Sequence, residues 1–360
     1  SNSGLGRTPP EWNYSASENT KSVLPVFEDK PVANAAVHFV AMRFRRAAVP
    51  PHLTCLRLAE NIANAACLDT YVIGPLERQD DRACFEGVRD LYRFHAENEA
   101  AYSGLTQLAD VCLLASPANN PLGHQPEYRG LIRMLAESHV LYDIQPDSFL
   151  EGDDALSRLS RYKAAIIPDA RILHPAVCTA IDAYVSAGGT VIATGLTGTH
   201  DQAAAFQHRS LLASSGLAEI SEILEPAHSR YFRIRESDKE ALSGFEDLDI
   251  TFFHADCLVA TVPASGRGLL GYIPPTMYGP PEKCYYHTET DIPGIIVNRH
   301  GEGTFITVAW GIGRDYQTYG NHGHLRLMQS VLQDLARLQP SLATNASPLV
   351  EINAQLRRDG

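Results

Sequence analysis

VCLLA at 111–115, VLYDI at 140–144, AAIIP at 164–168 and TVIAT at 190–194 are four short apolar runs of strand length. Runs without polar alternation suit strands covered on both faces, the condition of a parallel sheet. Between them Tyr128, Leu131, Ile132 and Leu135 mark one helix face. Val177, Ile181, Tyr184 and Val185 mark another, on a helix that closes at Gly188-Gly189. Each helix returns the chain for a parallel neighbour, so the pattern predicts an α/β fold with a doubly wound, mostly parallel sheet.

Upstream, AAVHFVAM at 35–42 reads as a strand, Pro50-Pro51 opens a helix through Leu56, Ala59 and Ile62, and TYVI at 70–73 reads as the next strand. Phe85, Val88, Leu91, Tyr92 and His95 mark a further helix face. These are partial β/α units, too few for an eight-stranded barrel of about 250 residues. The polar start with Pro9-Pro10 reads as a lead-in arm. Downstream, 229–235 and 252–262 hold strands. Residues 295–298 and 304–310 form a hairpin turned by Arg299-His300-Gly301-Glu302-Gly303. Leu325, Met328, Val331, Leu332, Leu335 and Leu338 mark a closing helix, and the chain reaches a turn-like Asp359-Gly360. The expected division is 1–105, 106–340 and a tail at 341–360.

The chain has 360 residues, 44% hydrophobic, enough for more than one well-covered core. Its formal charge of −12 offers no general attraction for nucleic acid or an anionic membrane surface. No run approaches the roughly 18 apolar residues of a membrane span, so the expected location is cytoplasmic. Seven cysteines without a CxxC pair argue against a disulfide framework or a zinc site. His322 and His324 diverge by about 200° on a helix, unlike the i, i+4 pair of a zinc helix. No metal and no cofactor are expected, because no phosphate-cradling or dinucleotide motif is present.

The blocks YRGLIRMLAESHVLYDI and LSRYKAAIIPDARILHPAVCTAIDAYVSAGGTVIATGLTGTHD, with PPEKCYYHTETDIPGIIVNRHGEGTFITVAWGIG further on, carry a family pattern. They resemble the trimerisation domain of glycoside hydrolase family 42 β-galactosidases, over roughly 106–340. Residues 31–100 carry a weaker similarity to the last units of the catalytic barrel that precedes that domain. The resemblance implies a class I glutamine-amidotransferase-like, flavodoxin-like fold, a carbohydrate substrate and a homo-oligomer, a trimer by the domain's role. Two departures stand out. Where an amidotransferase carries its cysteine nucleophile, this chain has Gly195-Leu196-Thr197-Gly198. Where a barrel glycosidase places a carboxylate, the 35–42 strand runs into Arg43-Phe44-Arg45-Arg46.

Glycoside cleavage needs two carboxyl groups, one as proton donor and one as base or nucleophile. Glu289 and Asp291, beside Tyr285 and Tyr286, are the local candidates, with Glu77 just past the TYVI strand. The plain alternative for all three is a solvated surface acid. Asp169 and Arg171 follow one parallel strand, and Thr197, His200 and Asp201 follow another. They are therefore candidates for substrate binding in the crevice outside the sheet's carboxyl edge. His200 and Asp201 also admit an esterase-type centre with Ser116 or Thr197, although no G-x-S-x-G elbow is present. Trp310 and Arg314, near the hairpin exit, suit either a subunit contact or a carbohydrate platform. The expected function is a carbohydrate-active protein that cleaves or helps to bind glycosides and lacks amidotransferase activity. A noncatalytic oligomerisation module and an esterase are the alternatives.

Overall fold

The computed structural model describes residues 12–27, 30–277, 279–286 and 288–357. The Pro9-Pro10 start, His287 and the Asp359-Gly360 turn lie outside them. The chain divides into two compact units, residues 1–109 with 350–360, and residues 110–349.

In the first unit, α1 (Ser15–Lys21), β1 (Ala33–Val37), α2 (Pro51–Ala63), β2 (Cys67–Tyr71), α3 (Phe85–Glu97), α4 (Glu99–Tyr102) and β3 (Leu105–Gln107) follow in order. Pro51 sits at the first position of α2, where its missing N–H has no helical partner to lose. β1 and β2 pair in parallel from Ala33↔Cys67 to Val37↔Tyr71, and β3 pairs antiparallel with the late strand Gln355–Arg357. The α3 face read from the sequence is half-buried at Phe85, Val88, Leu91 and His95.

The second unit opens with β4 (Val111–Ala115), α5 (His124–Glu137), β5 (Tyr142–Pro146), α6 (Ala155–Leu159), β6 (Ala164–Pro168), α7 (Pro175–Ser186) and β7 (Thr190–Thr194). Shorter pieces follow: β8 (Ile220–Leu224), β9 (Arg230–Arg233), α8 (Glu236–Lys239), β10 (Ile250–Phe253), β11 (Cys257–Ala260), β12 (Gly266–Leu269) and β13 (Gly271–Ile273). The hairpin β14 (Ile295–His300) and β15 (Gly303–Val308), then α9 (Ile312–Tyr319) and α10 (His322–Ser330), complete it. Seven strands form one sheet in the order β12-β14-β15-β7-β6-β4-β5. β5, β4, β6, β7 and β15 are parallel, and β14 and β12 extend the sheet through antiparallel pairings.

The four apolar runs become the sheet's centre because both faces are covered. Val111, Cys112, Leu113, Ala164, Ile166, Ile167, Val191 and Ile192 are buried at 1% exposure or less. The α5 stripe Tyr128, Leu131, Ile132, Leu135 and the α7 stripe Val177, Ile181, Tyr184, Val185 are buried as well. α5 and α9 approach so closely that only glycine fits between them. A Cβ built on Gly130 would lie 1.8 Å from the Gly313 carbonyl oxygen. A second, aromatic core joins Phe232, Phe253 and Trp310, with Phe232 ring centroids 4.5 Å and 4.8 Å from the other two.

Candidate functional site

In chain order the five parallel strands take the spatial order 2-1-3-4-5, which reverses between β4 and β6. The crevice outside the carboxyl ends at that switch is where such sheets receive ligands. Ser116 follows β4, Asp169 follows β6, Gly195 follows β7 and Trp310 lies just past β15.

Asp169 holds φ +40, a left-handed conformation that costs a non-glycine residue about 1 kcal/mol or more. Its carboxylate offsets that strain. Oδ1 accepts the Leu196 N–H at 2.9 Å, and Oδ2 accepts from Arg314 at 3.0 Å and from Arg171 at 3.3 Å. Arg171 donates to Asp256 at 2.6 Å, and Arg314 reaches the same Asp256 oxygen at 3.3 Å. Two aspartates and two arginines thus close into a ring. Asp169 is 1% exposed, and burial alone pushes its carboxyl up, against the pull of Arg171, the Leu196 N–H and Arg314. Arg171, despite its own burial, is held more firmly protonated by Asp169 and Asp256.

Two further buried carboxyl groups set the arms of this ring. Glu127 on α5 accepts the Gly313 and Arg314 N–H groups at 3.1 Å and 2.7 Å, fixing the start of α9 and so Arg314. Complete burial pushes its carboxyl up to about 7 against those bonds. Asp315 accepts the His254 and Ala255 N–H groups at 2.8 Å and 3.2 Å, which places the turn bearing Asp256. Burial raises it to about 6. Glu127, Asp256 and Asp315 escaped the sequence reading. For Glu127 the signal was present, since it shares the α5 face with Tyr128 and Leu131, a charge on a buried stripe.

The hydroxyl and imidazole groups of this edge are turned to other partners. The Thr197 hydroxyl donates to the Thr194 and Ile167 carbonyls, at 2.8 Å and 3.1 Å, and accepts the Ala170 N–H at 3.2 Å. His200 meets Thr199 Oγ1 through Nδ1 at 2.9 Å. Burial, then Arg171, push its pKa down. Asp201 accepts from Ala203, Ala205 and Gln207, ordering its own turn. Ser116 donates its hydroxyl to Asp147, while His124 Nε2 accepts the Ser116 backbone N–H at 3.0 Å. The rings near these hydroxyls therefore face amides or Thr199, and the structure does not assemble the Asp201, His200 and Thr197 or Ser116 relay.

Trp310 is 0% exposed and packs on Phe232 and Phe253, so its ring faces protein. That placement corrects the carbohydrate-platform alternative for this residue: a wholly buried indole offers no face to a sugar. Glu289 and Asp291 come together at Arg235, which donates to Glu289 at 2.7 Å and Asp291 at 3.3 Å. Tyr285, nearby in sequence, is 68% exposed. Glu77 lies in the first unit, exposed on the turn Leu76–Arg78. All seven cysteines are free. His324 is buried and bonds the Phe252 carbonyl at 2.7 Å. Among the described residues no three His, Cys, Asp or Glu side chains converge as a metal site, and no helix is long and apolar enough to cross a membrane.

Residues 151–321, all in the second unit, match the family model described as the beta-galactosidase trimerisation domain. The resemblance read from the sequence holds there. Among solved structures the chain resembles alpha-L-fucosidase isoenzyme 2 from Paenibacillus thiaminolyticus, with 21% identity, TM-score 0.68 and coverage of 94% of this chain and 50% of that one. It also resembles Gan42B, a GH42 beta-galactosidase from G. stearothermophilus, with 14% identity, TM-score 0.69 and coverage of 98% and 50%. The beta-galactosidase of Bacillus circulans sp. alkalophilus gives 15%, 0.63, 94% and 50%. At these identities the likeness is one of fold. The chain spans about half the length of these structures. No curated protein matches it.

Proposed function

We propose that the unit at 110–349 is an assembly domain of a carbohydrate-active protein, forming a homo-oligomer, a trimer by the match at 151–321, and carrying no amidotransferase chemistry. The observation that carries the reading is the closed ring of Asp169, Arg171, Asp256 and Arg314 at the sheet's switch point. A ligand or nucleophile there would have to displace charges that already compensate one another, and breaking a buried pair costs about 3–5 kcal/mol. Gly195 supplies no side chain where the amidotransferase resemblance places its thiol. Light scattering on the purified chain tests the reading: a stable trimer supports it, and a monomer at micromolar concentration overturns it.

A second reading, glycoside cleavage by this chain, is favoured by one observation. Glu289 and Asp291 share Arg235, and Tyr285, close in sequence, is exposed. Nitrophenyl glycosides separate the two readings, with Glu289→Gln as the control. Nitrophenyl acyl esters, with His200→Ala, test the esterase alternative in parallel.

A further inference from the structure

β12 and β14 run antiparallel with Arg267 opposite Val297. Cross-strand partners share a face of the sheet, as do residues two apart on one strand. Arg267 and Arg299 are therefore diagonal neighbours on one face, roughly 7–8 Å apart. Arg337 and Lys239 add their side chains to the same wall, and together they line an open groove of about 690 Å³.

The charges of this groove are not balanced. Lys239 is held by Glu236 at 2.9 Å and Asp249 at 2.6 Å. Asp334 accepts the Ser243 N–H and hydroxyl, each at 2.8 Å. Arg299 donates one N–H to the neutral Thr304 hydroxyl at 2.8 Å. Among the described residues no ion-pair partner stands against Arg267, Arg299 or Arg337, and all three are exposed. Glu240 also lines the groove and, among the described residues, is the one lining acid without a bond of its own. Like charges side by side on one sheet face repel, and a chain with 42 acidic residues against 30 basic ones had acids to set between them.

We propose that this groove binds an acidic oligosaccharide, its uronate carboxylates seated on the Arg267, Arg299 and Arg337 forks. A guanidinium presents paired N–H groups at the spacing of carboxylate oxygens. The volume falls within the usual range of ligand clefts, and the rest of the wall offers the Gln333 amide as a donor and the Ser265 hydroxyl oxygen, whose proton goes to Asn298 at 2.7 Å, as an acceptor. Among the described residues no aromatic side chain lines it, so these residues give no platform on which a neutral sugar stacks. The ligand class rests on the carbohydrate reading given above; the anionic character does not.

Calorimetric titration of the whole chain with trigalacturonate, a neutral galactotriose and triglutamate tests this, beside the variant Arg267→Gln/Arg299→Gln. Both positions are exposed, so the variant keeps the wild-type melting temperature. Trigalacturonate is expected to bind, to weaken about tenfold or more in the variant, and to weaken with added salt; the other two are expected to bind far less. Equal binding to the variant, equal binding of galactotriose, or no heat with any probe overturns the groove assignment. Triglutamate binding as tightly as trigalacturonate keeps an anion groove but overturns the saccharide as its ligand, whereas the carbohydrate reading itself fails only in the light-scattering and nitrophenyl glycoside tests.

Discussion

The Asp169 carboxylate occupies the space that a side chain at Gly195 would need. Gly195 holds φ +61, and a Cβ built on it would lie 2.8 Å from Asp169 Oδ1. Any other residue there meets both a left-handed backbone and a buried ion pair. Gly195→Ala and Gly195→Cys are each expected to destabilise the second unit by about 1–3 kcal/mol, without creating amidase activity. Urea unfolding followed by tryptophan fluorescence measures the first. A variant as stable as the wild type would show that Asp169 moves aside freely and that the ring is not rigid.

Arg314 bridges Asp169 and Asp256 with its two terminal nitrogens. Arg314→Met leaves one arginine against two aspartates, one of them 1% exposed, and is expected to cost about 2–4 kcal/mol. Arg314→Lys should recover little, since a single ammonium cannot reach both carboxylates as the planar fork does. Full rescue by lysine would mean that net charge, and not the fork, holds the ring.

Much of this sheet was legible in the sequence, and the reason is local. VCLLA, AAIIP and TVIAT coincide with β4, β6 and β7 because each is buried on both faces, so burial leaves a continuous mark. VLYDI begins two residues before β5 because Val140 and Leu141 lead in from the turn Ser138-His139, while residue pairing starts at Val111↔Tyr142. The site was only half legible. Asp169, Arg171 and Arg314 were named and do converge, but the residue that joins the arginines, Asp256, lies 85 positions from Arg171. An ion ring of that span leaves no periodic trace. Trp310 illustrates the opposite failure, since its burial depends on Phe232 and Phe253 from strands that pair with each other far from it in sequence.

The pH dependence of stability follows from Glu127 and Asp315. Both carboxyl groups are raised by burial, to about 7 and about 6, so the folded state binds protons more tightly than the unfolded chain. Their contribution is full below the ordinary carboxylate range and is lost as pH rises through those values. The melting temperature of the second unit is therefore expected to fall between about pH 5 and pH 8. Glu127→Gln should flatten that slope. Asp110 acts in the other direction: despite its burial, Lys163 and Ser341 hold it below its ordinary value, so its contribution is lost on acidification below about pH 4. Melting curves that rise from pH 5 to 8 would contradict the burial of Glu127 as a proton-binding group.

Gly130 offers a test in which two physical effects oppose each other. It lies inside α5, where glycine to alanine normally stabilises a helix by up to about 1 kcal/mol. Here the added methyl would sit 1.8 Å from the Gly313 oxygen and 2.2 Å from its carbonyl carbon. Those are backbone atoms and cannot rotate away. Separating the helices would pull the Gly313 and Arg314 N–H groups from Glu127 and leave that buried carboxyl uncompensated, a loss of more than about 3 kcal/mol. Gly130→Ala should therefore melt far below the wild type or fail to fold, while Gly320→Ala should cost only about 1 kcal/mol. At Gly320 the backbone is left-handed at φ +60, but the nearest atom to a new Cβ is 3.8 Å away on a flexible arginine. Differential scanning calorimetry on the pair separates helix contact from backbone strain. A Gly130→Ala protein at least as stable as the wild type would mean that α5 and α9 do not meet as closely as these glycines require.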